Sequence, residues 1–355
     1  MNKIDELFNV LVAEGGSDLH LSEGQPPKIR RHGEMLAIRE TPLSHHEMIE
    51  LLQPISQTLG WKTFVDRGDL DFAYEKDEEN RFRCNYHKQI HGYGAVFRII
   101  PTRIKTLQEL GVPQIIQSFG DLKSGLVLVT GPTGSGKSTT LAAIIDYINS
   151  TYSKHIVTIE EPIEFVHANK KSIITQREVP NETPSFSAGL KAALREDSEV
   201  VLVGEMRDLE TISLALTAAE TGLLVFGTLH TNNARKTIDR IIDAFPSDQQ
   251  EQIRTMLANS LRGVVAQLLL KRADNGGRVA VNEILVATSA VSSIIREGAT
   301  VKLSDVLKTG KAEGMQLMDD AIASFLERGV VSEQEAYMKA IDKQRFLPQG
   351  RTGGH

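Results

Sequence analysis

The chain has 355 residues, of which 41% are hydrophobic and 24% are charged, and its formal net charge is −6. This composition is typical of a soluble globular protein and excludes fibrous and largely disordered classes, while the length predicts two domains. The negative net charge argues against nucleic acid as a partner, because nucleic-acid binding normally requires a basic face. Cys84 is the only cysteine, so an intramolecular disulfide and a thiolate metal cluster are excluded, and a reducing, cytoplasmic compartment is expected.

The first part of the chain, residues 1–103, predicts a small α+β domain. An amphipathic helix at the N-terminus is followed by short segments with strand-type patterning, which read SDLHLS, PKIRRHG, DLDFAYE, RFRCNYH and GAVFRII. No apolar run reaches the roughly 18 residues that a membrane span needs, so contact with a membrane is expected only through a partner. We expect residues 104–118 to form a linker to the next domain.

The second domain is predicted over residues 119–350. Its apolar segments LVLVT, HIVTIE, VVLVGE and LLVFGTLHT alternate with helical segments. Buried strands separated by amphipathic helices predict a parallel α/β sheet. After Pro246 we predict mostly helices, with one further strand at VAVNEILVAT, and we expect residues 351–355 to be a disordered tail.

A phosphate-binding loop follows the first of these strands. The sequence GPTGSGKS matches G-x-x-x-x-G-K-[ST] and lies between a predicted strand and a predicted helix, as the motif requires. The loop amides are expected to face the phosphates of ATP, with Lys137 on the β- and γ-phosphates and Ser138 on Mg²⁺. The alternative is a glycine-rich turn that only caps a helix, and the flanking strand argues against it. The predicted nucleotide-binding residues are Gly131, Pro132, Thr133, Gly134, Ser135, Gly136, Lys137, Ser138 and Thr139.

Carboxylates follow two of the other predicted strands. Glu160, Glu161 and Glu164 come after IVTI, and Glu205 comes directly after VVLV and a glycine. The carboxyl ends of parallel strands form the ligand-binding edge of an open sheet, where a carboxylate can hold Mg²⁺ or orient the attacking water. We predict catalytic roles for Glu205, in the position of a Walker B acid, and for Glu164. The alternatives are a first-turn helix acid for Glu205 and a solvated loop acid for Glu160.

A histidine follows the last strand of this series. His230 comes directly after GTL, at the same predicted edge of the sheet as the phosphate-binding loop and the two carboxylate segments. A lone histidine more often has a structural role than a catalytic one. Because the other polar clusters end at the same edge, we predict that His230 senses the nucleotide.

Three arginines of the first domain are candidate phosphate ligands. Arg81 and Arg83 alternate with Phe82 on one predicted strand, so they share a face. Arg98 lies in AVFRII, and we expect it on the strand face opposite Val96. We predict that Arg98, helped by Arg83, stabilises the γ-phosphate transition state, because the planar guanidinium binds phosphate in a bidentate manner. The alternative is an exposed cationic strand face.

The order and spacing of these motifs resemble a known family. GPTGSGKSTT, TIEEPIEF, VGEMRDLETI and GTLHT resemble the Walker A loop, Asp box, atypical Walker B segment and His box of the secretion-superfamily ATPases. GGSDLHLS, RFRCN, AVFRIIP, QREV and EMRDLETISLALTAAETG extend the resemblance over nearly the whole chain. They are similar to the branch of the family that retracts type IV pili.

The resemblance implies a PAS-like first domain and a RecA-like second domain in a homohexamer, with the nucleotide between the domains. It places Glu161, where the family usually has Asp, on the metal, and it makes the three arginines of the first domain nucleotide sensors. It implies an ATP-hydrolysing motor for pilus retraction and twitching motility. Such a motor is cytoplasmic and meets the inner membrane through a pilus platform protein, with a second ATPase of the same branch as a further partner.

Other functions remain open at this stage. One is an accessory ATPase of the retraction branch, and Ser292 is relevant to it because it replaces the first arginine of a C-terminal family element. Another is a pilus-assembly or type II secretion ATPase, although these usually carry a tetracysteine zinc element that a single cysteine cannot form. A third is a nucleotide-gated binding module that turns over too slowly to do work, which steady ATP consumption would exclude.

Overall fold

The computed structural model describes residues 2–31, 33–77, 80–101, 103–274 and 276–347. Two compact units, Met1–Arg103 and Ile104–His355, divide the chain. The predicted α/β fold class, with a parallel-rich sheet preceded by a smaller α+β domain, is confirmed. The tail predicted at residues 351–355 lies outside the described residues. Among the described residues, no helix combines the length and the apolarity needed to span a membrane.

The first unit is an antiparallel sheet with helices packed on one face. Its strands follow the order β3-β2-β1-β6-β5-β4, and each neighbouring pair is antiparallel. Its elements are α1 (Lys3–Ala13), β1 (Asp18–Ser22), β2 (Lys28–Arg31), β3 (Glu34–Ala37), α2 (His45–Leu52), α3 (Gln57–Arg67), β4 (Asp69–Asp77), β5 (Asn80–Gln89) and β6 (Gly92–Pro101).

One face of this sheet is apolar and the other is polar. Phe82 on β5 and Phe97 on β6 are fully buried, and both rings contact Phe8 of α1. On the other face, Arg98 and Val96 lie in the same concave surface. The prediction that these two residues occupy opposite faces is therefore wrong, because residues two apart on a strand point to the same side.

The second unit is a seven-stranded sheet with helices on both faces. The strand order is β13-β12-β7-β11-β10-β8-β9, and all neighbours are parallel except β12 and β13. The elements are α4 (Leu107–Leu110), α5 (Gln114–Ser118), β7 (Gly125–Thr130), α6 (Lys137–Thr151), β8 (His155–Glu160), β9 (Ile173–Glu178), α7 (Phe186–Ala193), β10 (Val200–Val203), α8 (Leu209–Glu220), β11 (Leu224–Leu229), α9 (Ala234–Asp243), α10 (Gln250–Ser260), β12 (Leu261–Lys271), β13 (Arg278–Val286), α11 (Ser289–Arg296), α12 (Leu303–Thr309), α13 (Met318–Glu327) and α14 (Glu333–Lys339).

The central strand β7 shows why the strands of this sheet are continuously apolar. Leu126 and Leu128 pack into the core on one side of the sheet, whereas Val127 and Val129 pack into the core on the other side. All four side chains are fully buried. A strand covered by helices on both faces needs apolar residues at every position, and this requirement produces the unbroken run LVLV.

Strands β9 and β12 were not predicted from the sequence. Strand β12 contains the run VVAQLLL, and an apolar run of this kind fits a buried helix as well as a buried strand. Its pairing with β7 and β13 decides the conformation. In helix α11, Val291 and Ile295 are fully buried in the core.

Candidate nucleotide-binding site

Four neighbouring parallel strands end at one edge of the large sheet. In spatial order they are β7, β11, β10 and β8, and their paired registers run to Thr130, Leu229, Val203 and Ile159. The segments that follow these strands are the phosphate-binding loop, the segment of His230, the segment of Glu205 and the acidic segment after Glu160. The sheet therefore brings together four polar segments that are far apart in the sequence, at the edge where open α/β sheets bind ligands.

The phosphate-binding loop lies between β7 and α6, which begins at Lys137. Gly131, Gly134 and Gly136 have φ values of 145°, 77° and 83°, a region that side chains other than glycine rarely adopt. The Lys137 ammonium donates hydrogen bonds to the carbonyls of Gly131 at 2.9 Å and Pro132 at 3.2 Å. Burial lowers the pKa of Lys137. The loop and the N-terminus of the 15-residue helix α6 thus form a favourable anion site, with the Lys137 ammonium held against the loop backbone.

Glu205 lies in the turn between β10 and α8. Helix α8 begins at Leu209, and its N-cap is Asp208, whose carboxylate accepts a hydrogen bond from the Thr211 amide at 2.8 Å. Glu205 therefore lies outside the first turn of the helix, and the alternative of a first-turn helix acid is wrong.

The Glu205 carboxylate contacts two basic side chains. Its Oε1 lies 3.1 Å from Nε2 of His230, and it also contacts the guanidinium of Arg207. Burial raises the pKa of Glu205, but the hydrogen bond from Arg207 and the charge of His230 outweigh it and lower the pKa overall. Glu205 is therefore an ionised acceptor near neutral pH, as orientation of a water molecule requires.

Glu160 has a different environment from Glu205. Its Oε1 accepts hydrogen bonds from Thr158 at 2.7 Å and from Gln176 at 3.3 Å, and burial raises its pKa to about 7. Glu160 lines a small cavity together with Ser138 and Gly204. The alternative of a solvated loop acid is therefore wrong for this residue.

The rest of the acidic segment is supported by β9. The Ile163 amide donates to the buried carboxylate of Glu178 at 2.9 Å, and the amide of Glu164 donates to Glu160. Glu161, the predicted metal ligand, is exposed. The pKa of Arg207 is raised mainly by its hydrogen bond to Glu205, and the charge of Glu161 adds to this shift. Of the acids in this segment, Glu161 is exposed, whereas Glu160 and Glu164 are half-buried.

The arginines of the first unit form a cluster of their own. Arg98 lies directly opposite Asp18 on β1 and opposite Arg83 on β5. Its Nε donates to the buried Asp18 carboxylate at 2.7 Å, while 68% of the Arg98 side chain remains exposed. Arg83 is also exposed. Asp18 therefore holds the Nε atom of Arg98, while most of the Arg98 side chain stays accessible to solvent.

Several residues that support the site were not found from the sequence. They are buried or half-buried polar residues on β9, β12 and β13, and for those on β12 and β13 the only sequence signal is a polar residue within an apolar run. They are Gln176, Glu178, Gln267, Asn282 and Glu283.

Comparison with known proteins identifies the family. Residues 6–338 match the family described as type II/IV secretion system protein. The chain is 48% identical to the type IV pilus retraction ATPase PilT of Pseudomonas aeruginosa over 97% of this chain and 99% of that protein. It is 50% identical to a twitching motility protein of Neisseria gonorrhoeae over 90% of this chain and 85% of that protein.

A solved structure agrees with these matches. The crystal structure of the pilus retraction motor PilT with bound ADP has a TM-score of 0.91 and 40% identity, covering 97% of this chain and 98% of that one. The predicted resemblance to the secretion-superfamily ATPases, and with it the prediction of an ATP-hydrolysing enzyme, is confirmed. The chain belongs to the family of type II/IV secretion system proteins.

Proposed function

We propose that this protein is the ATP-driven motor that retracts type IV pili and so powers twitching motility. The observation that carries the proposal is a set of phosphate-handling groups at one sheet edge, in a chain that matches the retraction ATPase PilT along nearly its whole length. The cavity lined by Ser138, Glu160 and Gly204 has a volume of about 30 Å³, which suits a water molecule.

Each group at the edge has a role in this proposal. The loop amides and Lys137 bind the β- and γ-phosphates, and ionised Glu205 orients the attacking water. His230, paired with Glu205 at 3.1 Å, links the γ-phosphate region to strand β11 and serves as its sensor. Glu164 is a second candidate for positioning the water. Arg98 and Arg83 provide the cationic charge that stabilises the transition state.

The residues present also fit Mg²⁺. No group of three or more His, Cys, Asp or Glu side chains forms a metal cage within the described ranges. Mg²⁺ in nucleotide sites is usually held by one or two protein oxygens and the phosphates themselves, so a cage is not required. The hydroxyl of Ser138 together with Glu161, or with Glu160 from the lining of the same cavity as Ser138, would hold it. Bound there, the ion would neutralise charge on the β- and γ-phosphates.

The working unit in this proposal is a homohexamer in the cytoplasm. Closure of the two domains around ATP would produce the movement, and a ring would let successive closures act on one central partner. That partner is an inner-membrane pilus platform protein, with a second retraction-type ATPase as a companion in the same machine.

A complementation experiment tests the proposal. The gene is expressed in a piliated bacterium that lacks its own retraction ATPase, and the twitching zone is measured beside the same strain expressing Lys137→Ala. We expect the parent protein to restore twitching and the variant to fail. Restoration only in strains that retain a second retraction ATPase would favour the accessory function. Failure to restore twitching in any of these strains, or a purified protein with no steady ATP turnover, would contradict a retraction motor.

A further inference from the structure

Gln267 is a buried residue on β12 whose side-chain amide forms hydrogen bonds with the phosphate-binding loop, with helix α6 and with strand β13. Only 1% of the residue is exposed. Its Nε2 donates to the backbone carbonyl of Ser135, in the middle of the loop, at 2.7 Å. Its Oε1 accepts from Thr140 of α6 at 2.8 Å and from Asn282 of β13 at 3.0 Å. Because the Ser135 carbonyl can only accept, Nε2 must face it, and Oε1 is then left to accept from Thr140 and Asn282.

The loop backbone packs directly against β12 at this point. A Cβ atom on Gly131 would overlap the carbonyl oxygen of Gln267, and one on Gly136 would lie 3.0 Å from its Nε2. Glycine at these two positions therefore allows contact with the strand as well as the unusual φ values. The position of the loop depends on β12, and Gln267 is the polar group that joins them.

The neighbouring strand connects the same hairpin to the His230 side of the site. Asn282, which donates to Gln267, is followed on β13 by Glu283, whose side chain points to the opposite face of the strand. The buried Glu283 carboxylate accepts from the Ala234 amide at 2.8 Å. Ala234 is the first residue of α9 and follows His230 by four positions. One hairpin therefore supports both the phosphate-binding loop and the helix after His230.

We propose that Gln267 is a positioning residue for nucleotide binding, which holds the Ser135 carbonyl so that the loop amides keep facing the phosphates. The inference rests on the proposed function only in that the loop binds a nucleotide. Anion sites of this type depend on the orientation of successive backbone amides, and one rotated peptide would replace a donor with a repelling carbonyl. The Thr140 and Asn282 side chains act through Gln267 by fixing its orientation.

The test is the affinity of the purified full chain for ADP, measured by calorimetry. Gln267→Met keeps the length of the side chain but leaves the Ser135 carbonyl without a donor, and we expect affinity to fall roughly tenfold. Gln267→Glu places a carboxylate against that carbonyl, and a larger loss is expected. Leu270→Ala is the matched control. Leu270 is fully buried on the same strand, but it packs in the hydrophobic cluster that contains Met318 and Ile322. The substitution should lower thermal stability and leave ADP affinity unchanged.

A pH comparison separates positioning from general destabilisation. The carboxyl group introduced by Gln267→Glu regains an O–H donor when it is protonated. Because burial at this position would raise the pKa of that carboxyl group, this variant should recover much of its ADP affinity at about pH 6 relative to about pH 8, whereas the parent and Gln267→Met should not. Thr140→Val should weaken binding in the parent but add little to Gln267→Met, because the two side chains act as one unit.

The outcomes distinguish a loop that does not bind nucleotide from a Gln267 side chain that does not position the loop. If Lys137→Ala binds ADP as well as the parent, the phosphate-binding role of the loop is wrong. If Lys137→Ala loses binding but Gln267→Met binds within about twofold of the parent, the loop binds nucleotide and Gln267 does not position it. Should Gln267→Glu fail to fold, Gln267→Met and Thr140→Val give the same decision.

Discussion

The Glu205 carboxylate and the His230 imidazole lie 3.1 Å apart, between Oε1 and Nε2, although 24 residues separate them in the chain. The contact arises from the sheet, because Glu205 follows β10, His230 follows β11, and these two strands are parallel neighbours with Val203 paired to Gly227. Movement of one side chain therefore affects the other without any change in the strands. This geometry makes the pair a suitable link between the attacking water and the segment after β11.

Substitutions at Lys137 and Glu205 should affect nucleotide binding and hydrolysis separately. Lys137→Ala removes a cation that contacts phosphate, so we expect loss of nucleotide binding. Glu205→Gln keeps the shape of the side chain but removes the ionised acceptor, so Mg-ATP should still bind while single-turnover hydrolysis falls by about 10² to 10⁴. Affinity and single-turnover rate are measured separately. Normal hydrolysis by Glu205→Gln, with an inactive Glu164→Gln, would reverse the assignment of the two carboxylates.

Arg98 should affect turnover much more than affinity. A guanidinium that stabilises the γ-phosphate transition state contributes on the order of 10³ to 10⁵ in rate, and an ammonium lacks its planar geometry. We expect Arg98→Lys to lower kcat strongly with a small change in ATP affinity. If Arg98→Lys turns over at the parental rate per bound ATP, Arg98 is only a surface cation paired with Asp18.

Oligomers assembled from two different variants can show whether Arg98 acts at the nucleotide site of its own subunit or at that of a neighbouring subunit. Arg98→Ala subunits lack the arginine, and Lys137→Ala subunits lack a working phosphate-binding loop. An arginine that acts on a neighbouring subunit would restore activity at some sites when the two are mixed, because intact loops would meet intact arginines. If Arg98 acts at the site of its own subunit, no site in the mixture contains both an intact loop and an intact arginine. The mixture would then be as inactive as each variant alone.

The proposed assembly is testable in solution. We expect a closed homo-oligomer, most simply a hexamer, because only a ring lets sequential closures act on one partner. Light scattering at micromolar concentration with ATP gives the mass. A strict monomer with full ATPase activity would remove the motor function, while leaving the nucleotide-binding site itself intact.

His167 should make stability depend on pH. Burial lowers the pKa of His167 from 6.5 to about 4, and its Nδ1 is a buried atom without a hydrogen-bond partner in the described structure. Between these two pKa values the unfolded chain binds a proton that the folded chain does not, so stability is lost as pH falls below 6.5. At about pH 5 this loss is on the order of 2 kcal/mol.

Denaturant unfolding at about pH 7.5 and about pH 5 measures this effect. The loss of stability on acidification should be smaller in His167→Gln than in the parent protein, because the buried imidazole is absent. His91→Gln is the control, since His91 is exposed and should leave the pH dependence unchanged. Equal losses in His167→Gln and the parent would show that other groups cause the acid sensitivity.

The sequence alone determined the elements whose signals are local. The loop GPTGSGKS has glycines at fixed positions between a strand and a helix, so residues 131–138 predicted a phosphate site without any tertiary information. The strands LVLV and VVLV are apolar at every position because both faces are covered, and this pattern indicated a parallel sheet. The polar segments after such strands then predicted one common edge.

Only the tertiary structure decided the features that depend on partners from distant segments. Strand β12 could be a helix from its composition, and its pairing with β7 and β13 sets its conformation. Glu160 and Glu161 are adjacent and identical in sequence, yet one is held by Thr158 and Gln176 while the other is exposed. The presence of a polar residue such as Gln267 in the sequence does not predict which loop its side chain will contact. The physical reason is that hydrogen bonds and burial are set by neighbours in space, whereas composition and periodicity report only neighbours along the chain.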